Sequence, residues 1–516
     1  MRLKRFLLRY YPPGILLEYR SSKSGKTVVK AVNLFHLTHR SDAETVVNQV
    51  IADEQLSRHR RGQLLKLVRK LIARQRVDVG KSFRARSAFR PHPAPTCNFA
   101  CNKDGSVAVT ASYDNTCRVW NTGEATKLRA LEGHSNVVFS VAFNNPFGNL
   151  VVSGSFDTTA RLWNPHTGDC VGVFEGHTGE VVKVLFSPDG RQVATASMDT
   201  QVKLWDVETG SALATFAGHT APVSCISFDA DGTSLLSGSC DASLRAWDPR
   251  MASAGGEAGG GAAGGEGAGA VNDACVRLYE GHKGDIAGLD INFTGDAVVS
   301  GSADGTVKFW DPATGRCRTT VEAHADEVTG VAFSPGGNRA ASSSADGCVL
   351  MLKTLNGAVD SRLLGHGGAV SSVCFNPQGS RIASTGVDGT ARLWDVESGS
   401  LRETLTGHTE EVYAATFNYD GDLLMTGSLD WTCRVWGLVK DEEEAPPMMT
   451  RPGTALPGAM RSGGFDVVPG GAVTAAGGAG GASTGAWESA SSAYRTVVSY
   501  GVPEPRSTSP EVRLHR

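Results

Sequence analysis

The chain has 516 residues, 41% apolar and 20% charged, enough for a large core with appended parts. Its net charge of −3 hides an asymmetry, because residues 1–90 hold 21 Lys and Arg against 6 Asp and Glu and so carry +15, leaving −18 for the rest. No apolar run reaches ~18 residues, which excludes a membrane-spanning helix, and the 11 cysteines show no paired Cys-x-x-Cys spacing.

These features point to reduced thiols in a soluble intracellular protein, with no metal and no cofactor. Cys97 and Cys101 are the closest pair, and no ligand set adjoins them. The opening MRLKRFLLRYYPPGILL starts like a signal peptide, but Arg9, Pro12 and Pro13 break its apolar run. The basic first segment should meet something acidic, and its own acidic remainder is one candidate.

Residues 3–37 read as two or three strands, LKRFLLRYY, ILLEYRSS and TVVKAVNLFHL, with a Gly25-Lys26 turn. Ser41 with Glu44 three residues on offers a helix start. Val46, Val47, Val50 and Ile51 share one helical face, as do Leu64, Leu67, Val68, Leu71 and Ile72 of a second helix. Residues 1–80 therefore predict a small α+β domain. Its second helix is basic outside, with Arg58, Arg60, Arg61, Lys66, Arg69, Lys70, Arg74 and Arg76, either a solvated face or a docking surface for an acidic partner.

From His92 onward one frame repeats eight times, at His92, His134, His177, His219, His282, His324, His366 and His408, with spacings of 42 or 43 residues and one of 63. An aspartate follows each histidine after 22 or 23 residues, and a tryptophan comes six residues later, with Leu352 standing in once. A period of about 40 to 45 residues with Gly-His and Trp-Asp marks resembles WD repeats, each building one four-stranded propeller blade. The expected fold is all-β: an eight-bladed WD-repeat propeller over 81–437, after the head and before a disordered tail at 438–516. The long interval contains SAGGEAGGGAAGGEGAGA, a Gly-rich disordered insertion at about 250–274, between the third and fourth strands of blade four. Residues 82–90 precede the first histidine and should complete the last blade beside Trp436, closing the ring.

His134, Ser155 and Asp157 could pass for a catalytic triad, as could His177, Ser197 and Asp199 or His408, Ser428 and Asp430. Repetition, with Trp163, Trp205 and Trp436 as fourth members, argues for scaffolding: the resemblance implies a hydrogen-bonded network within each blade. Blade six, with Leu352 for tryptophan, and blade seven, with Gly386 for serine, are expected to be looser. No phosphate loop or isolated acid pair suggests an enzyme.

Function should then sit on the faces of the ring. Residues just before the turn aspartates, and three and five after the histidines, are expected at the channel mouth. Leu429, Tyr413, Tyr113, Phe139, Phe156 and Met198 make an apolar arc over blades eight, one, two and three. Blades four to seven carry small residues such as Ala287, Ala303 and Ala345, and Glu180, Asp285, Glu327 and Glu411 are interspersed. That mixture suits a protein partner better than nucleic acid, whose phosphates need Lys and Arg.

LLRYYPPGILLEY at 7–19, VVFSVAFNNPFGNLVVSGSFD at 137–157 and EEVYAATFNYDGDLLMTGS at 410–428 resemble the outer-arm dynein assembly factors with WD repeats. The resemblance covers residues 1 to about 437, apart from the Gly-rich insertion. It implies a non-enzymatic adaptor that links preassembled outer dynein arms to the intraflagellar transport particle. Such a protein would be monomeric, cytoplasmic and found at the cilium or flagellum and basal body. It also implies a transport-particle contact near the head, which would bring the basic helix and the apolar arc together. A ubiquitin-ligase substrate receptor, a signalling scaffold and an RNA-processing subunit are the alternatives.

Overall fold

Blade two shows how one repeat becomes one sheet. Val138–Phe143, Val151–Ser155, Ala160–Trp163 and Cys170–Phe174 run antiparallel in chain order, with Val151 between Phe143 and Trp163 across the ladder. All five residues of Val151–Ser155 are buried. A strand covered on both faces needs no polar side, which is why these positions do not alternate. The computed structural model describes residues 2–20, 27–56, 58–75, 80–145, 147–250 and 275–440. The Gly25-Lys26 turn, Arg76, residues 251–274 of the Gly-rich insertion, and the tail beyond Lys440 lie outside them. Eight four-stranded blades are present, as the repeat predicts, and blade four takes its outer strand, Cys275–Tyr279, from beyond the insertion.

Each pair of adjacent blades encloses one apolar cluster. Between blades one and two it joins Val109, Val119 and Leu131 to Val138, Val151 and Trp163. Equivalent clusters fill the other seven interfaces. The clusters lie between blades, so the ring must close for the first and last blades to bury both faces. Closure is made by Lys81–Phe89, which pairs antiparallel with Cys433–Lys440 from Cys433↔Phe89 to Lys440↔Lys81. The last strand thus runs to Lys440, three residues beyond the boundary expected from the repeat. Phe89 stacks on Trp120 of blade one at 4.8 Å, and Phe83 packs edge-on against Phe417 at 5.9 Å.

The head is a three-stranded antiparallel sheet, β1 (Arg2–Arg9), β2 (Gly14–Arg20) and β3 (Thr27–Asn33), with helices α1 (Ala43–Asp53) and α2 (Arg61–Arg74). Ile15 and Leu17 of the sheet pack with Val47, Leu64, Val68 and Leu71. Two details differ from the sequence reading. The cap of α1 is Asp42, whose carboxylate accepts from the Thr45 N–H at 2.9 Å, while the Ser41 hydroxyl accepts from the Thr38 N–H. A carboxylate is the stronger acceptor for a helix's first N–H groups. Leu65 rather than Leu67 packs against the head's core. No helix among the described residues is long and apolar enough to cross a membrane.

Candidate functional site

The chain alternates direction through each blade, so its loops fall on two rims. One rim carries the histidine loops and the aspartate turns. The other carries the hairpins between first and second strands and between third and fourth strands. They are called the upper and lower rim below.

On the upper rim every histidine is fixed from both sides. Nδ1 meets the aspartate at 2.7–3.1 Å in all eight blades. Nε2 meets a buried hydroxyl at 2.7–2.9 Å. The same hydroxyl accepts from the tryptophan Nε1–H in seven blades, at 2.7–3.2 Å. The aspartate holds the proton on Nδ1, so Nε2 accepts from the hydroxyl. Burial alone would raise the Asp199 carboxyl, but the bonds from His177 and from backbone N–H groups hold it at about 2.

The hydroxyl in question corrects the sequence reading. In blade two it belongs to Ser153, not Ser155, and in blades three and eight to Thr195 and Thr426, not Ser197 and Ser428. Ser155 instead donates to the Asn136 carbonyl and accepts from the Asp157 N–H, bracing the turn; Ser197 and Ser428 accept from the N–H of Asp199 and Asp430 in the same way. The physical reason is depth along the strand, because a shift in register between Gly154 and Ser155 takes the second serine out of the regular ladder. Ser153 lies opposite Arg161 in the ladder, deep enough to meet both imidazole and indole, whereas Ser155 has reached the turn. It follows that Gly386 removes a turn brace only: blade seven keeps its complete network through His366, Ser384, Asp388 and Trp394. In blade six Ser342 serves His324 with no indole above it. The order of connections matches a nucleophilic triad, but Ser153 is fully buried beneath Trp163 and cannot meet a substrate.

The apolar arc also lies on the upper rim. Phe139 and Phe156 stack at 5.3 Å, and Tyr113, Met198 and Leu429 are half-buried beside the turns. Tyr413 turns into the seam between blades eight and one against Phe99, at 6.3 Å, so it belongs partly to the core. Burial raises the Glu411 carboxyl, which accepts from Ser371 at 2.6 Å.

The head sits on the lower rim. The Tyr11 hydroxyl accepts from Gln378 Nε2 of blade seven at 2.9 Å and donates to the Arg74 carbonyl at 3.1 Å. Its ring meets Tyr419 of blade eight edge-on at 5.4 Å. Arg74 pairs with Asp420, and Arg9 lies 4.4 Å over Phe293 of blade five. Between the head's 37–40 loop and blades six and seven remains a cleft of about 760 Å³, lined by Arg40, Arg339, Arg402 and Asp395 among others. Two expectations change. Arg74 is spent on the propeller, and the basic helix and the apolar arc lie on opposite rims. Arg61 is paired with Glu44 at 2.6 Å, while Lys66, Arg69 and Lys70 are exposed; Arg58 opens the short turn before α2.

One residue escaped the sequence reading. Trp431 follows the turn aspartate of blade eight, a position filled elsewhere by residues such as Asn115, Ala242 and Gly305. Aligning the turns themselves, rather than the residues before them, would have exposed it. Among the described residues no group of three or more His, Cys, Asp or Glu could hold a metal ion.

A closed ring of four-stranded blades, each tied by a histidine, a hydroxyl, an aspartate and almost always a tryptophan, defines a WD-repeat propeller. The chain belongs to the family described as WD domain, G-beta repeat, which matches residues 85–121, 125–164, 168–206, 210–248, 273–311, 315–351, 358–395 and 399–437. Among curated proteins it is similar to Dynein assembly factor with WD repeat domains 1 of Xenopus laevis, 44% identical over 152 residues. The proteins of that name from Mus musculus and Homo sapiens are 43% and 40% identical over 149 residues. These matches cover 29% of this chain and about a third, 35%, of each relative. Among solved structures, the computationally designed Ika8 protein matches with a TM-score of 0.58 at 28% identity, over 69% of this chain and 99% of that one.

Proposed function

We propose that this protein is a non-enzymatic adaptor that links preassembled outer-arm dynein to the intraflagellar transport particle, for delivery from the cytoplasm into cilia or flagella. The reading is supported by similarity to relatives named for dynein assembly. The observation that carries it is the separation of two surfaces: the head covers the lower rim of blades five, seven and eight, while the apolar arc stays on the upper rim. A rigid ring with a partner surface at each end can hold two assemblies at once. Lys66, Arg69 and Lys70 are the head's candidates, and Tyr113, Phe139, Phe156, Met198 and Leu429 those of the arc.

The test is capture from the cytoplasm of cells growing cilia, with the full chain, with residues 1–80 removed, and with Phe156→Asp. Full-length protein should recover both outer-arm dynein and transport-particle subunits. Each change should then lose one set and keep the other. Recovery of ligase subunits and neither expected set would replace this reading with a substrate-receptor scaffold.

A further inference from the structure

Every blade turns sharply after its aspartate, and the residue at that point holds a positive φ. Glycine takes it in blades five to seven, at Gly305, Gly347 and Gly389, and Asn115, Thr158, Thr200 and Ala242 take it in blades one to four, so the turn itself enforces the conformation and Trp431 stands apart by its size. In blade eight the residue is Trp431, with φ of 68°. A bulky side chain in the left-handed region is disfavoured, and unlike asparagine it has no local hydrogen bond to offset the conformation. Trp431 does not build the blade's core, since Trp436 fills that position. A strained aromatic at a half-exposed surface is a reason to look for a partner.

Its surroundings give that partner a chemistry. The Arg90 guanidinium lies 4.3 Å from the Trp431 ring centroid. Arg90 is exposed and makes no ion pair or hydrogen bond among the described residues, so its donors are unspent. Beside it is a shallow hollow lined by Arg90, His92, Pro93 and Arg118. The lining has two guanidinium groups and no carboxylate; Arg118 keeps a distant bond to Asp114, at 3.4 Å, and donates to the Pro91 carbonyl. Leu429 of the apolar arc lies two positions before Trp431 in the chain, on the same turn. Tryptophan and arginine together are the residue types that most often dominate binding energy at interfaces.

We propose that Trp431 and Arg90 form a docking spot for an acidic, apolar-bearing peptide segment of a partner protein. The indole receives an apolar side chain, and Arg90 takes the adjoining carboxylate through two parallel N–H bonds. This rests on reading the upper rim as a protein-binding surface, and it names the chemistry of that surface.

The probe is a phage-displayed library of random dodecamer peptides, panned on the full chain. Enriched peptides should carry Asp or Glu beside Leu, Ile or Phe. Trp431→Gly should weaken their binding about tenfold or more, while its melting temperature stays level or rises, because glycine suits the turn. Arg90→Glu should abolish binding of the same peptides, and Arg90→Lys should restore only part of it. The inference fails if the enriched peptides are basic or carry no carboxylate. It also fails if they bind Trp431→Gly as tightly as the parent, or if Trp431→Gly melts earlier, since the stack would then be structural. No dynein or transport-particle subunit is present in the panning. A chain that captures those subunits but enriches no acidic peptide refutes this spot alone; one that enriches the peptides but captures neither assembly refutes the adaptor reading alone.

Discussion

Arg381 and Glu403 meet at 3.0 Å in the seam where the closing strand passes blade seven, with the Arg381 side chain only 2% exposed. Both reach the strand itself: Arg381 donates to the Lys81 carbonyl at 2.6 Å, and Glu403 accepts from the Phe83 N–H at 2.6 Å. Taking one charge out of such a pair strands the other in an apolar site, which costs about 3–5 kcal/mol. Arg381→Ala should therefore lower stability by about 3 kcal/mol or more, read as a shifted urea midpoint. Replacing both by Met and Leu should cost much less than either single change. Removing residues 82–90 should destabilise the ring more than removing residues 1–75, since only the former opens blade eight.

Ser153 and Ser155 are two positions apart and have very different duties. Ser153→Ala leaves His134 Nε2 and Trp163 Nε1 unpaired in the core, so a loss of about 2–3 kcal/mol is expected. Ser155→Ala frees one turn N–H and one carbonyl near the surface, and about 1 kcal/mol is expected. Thermal or urea unfolding of the two variants checks the order. If Ser155→Ala proved the costlier, the network drawn here would be wrong. The pair also marks how far the sequence could be read. The period, the blade count and the histidine, aspartate and tryptophan positions were legible because each recurs in a fixed frame. The hydroxyl was misplaced because both positions carry small polar residues in most repeats. Only the ladder register says which one lies under the indole.

Arg74 and Asp420 carry much of the head's attachment, together with Tyr11 and Gln378. Arg74→Asp should loosen the head by about 1 kcal/mol, a modest value because both side chains are about a third exposed. The reciprocal swap, Arg74→Asp with Asp420→Arg, should restore docking. Amide exchange in α2 and in the Asn418–Leu423 hairpin would report it, and protection unchanged in the single variant would refute the attachment. The charge imbalance foretold that the basic head would meet acid, and its own propeller supplies it. Which rim it meets was not legible, because docking depends on side chains from separate blades, such as Phe293, Gln378 and Tyr419, that share no motif.

Acid should unfold this propeller in two stages. Burial pushes the imidazoles of His282, His324 and His366 below their ordinary value, with the paired aspartates pulling the other way. Against the same burial, hydrogen bonds hold Asp199, Asp304 and Asp388 at about 2. In both sets the folded state binds protons less tightly than the unfolded chain. Their stabilisation is therefore full above the unfolded values and is lost as pH falls toward the folded ones. The histidines should begin to act below about pH 6.5 and the aspartates below about pH 4. Asp290 runs the other way, since burial raises it to about 6, and its protonation offsets part of the first stage. Urea midpoints should fall shallowly from pH 7 to 4 and steeply from 4 to 2. Asp290→Asn should steepen the first stage and leave the second unchanged. A midpoint that stayed flat down to pH 3 would mean that the histidine–aspartate pairs do not hold the blades together as described.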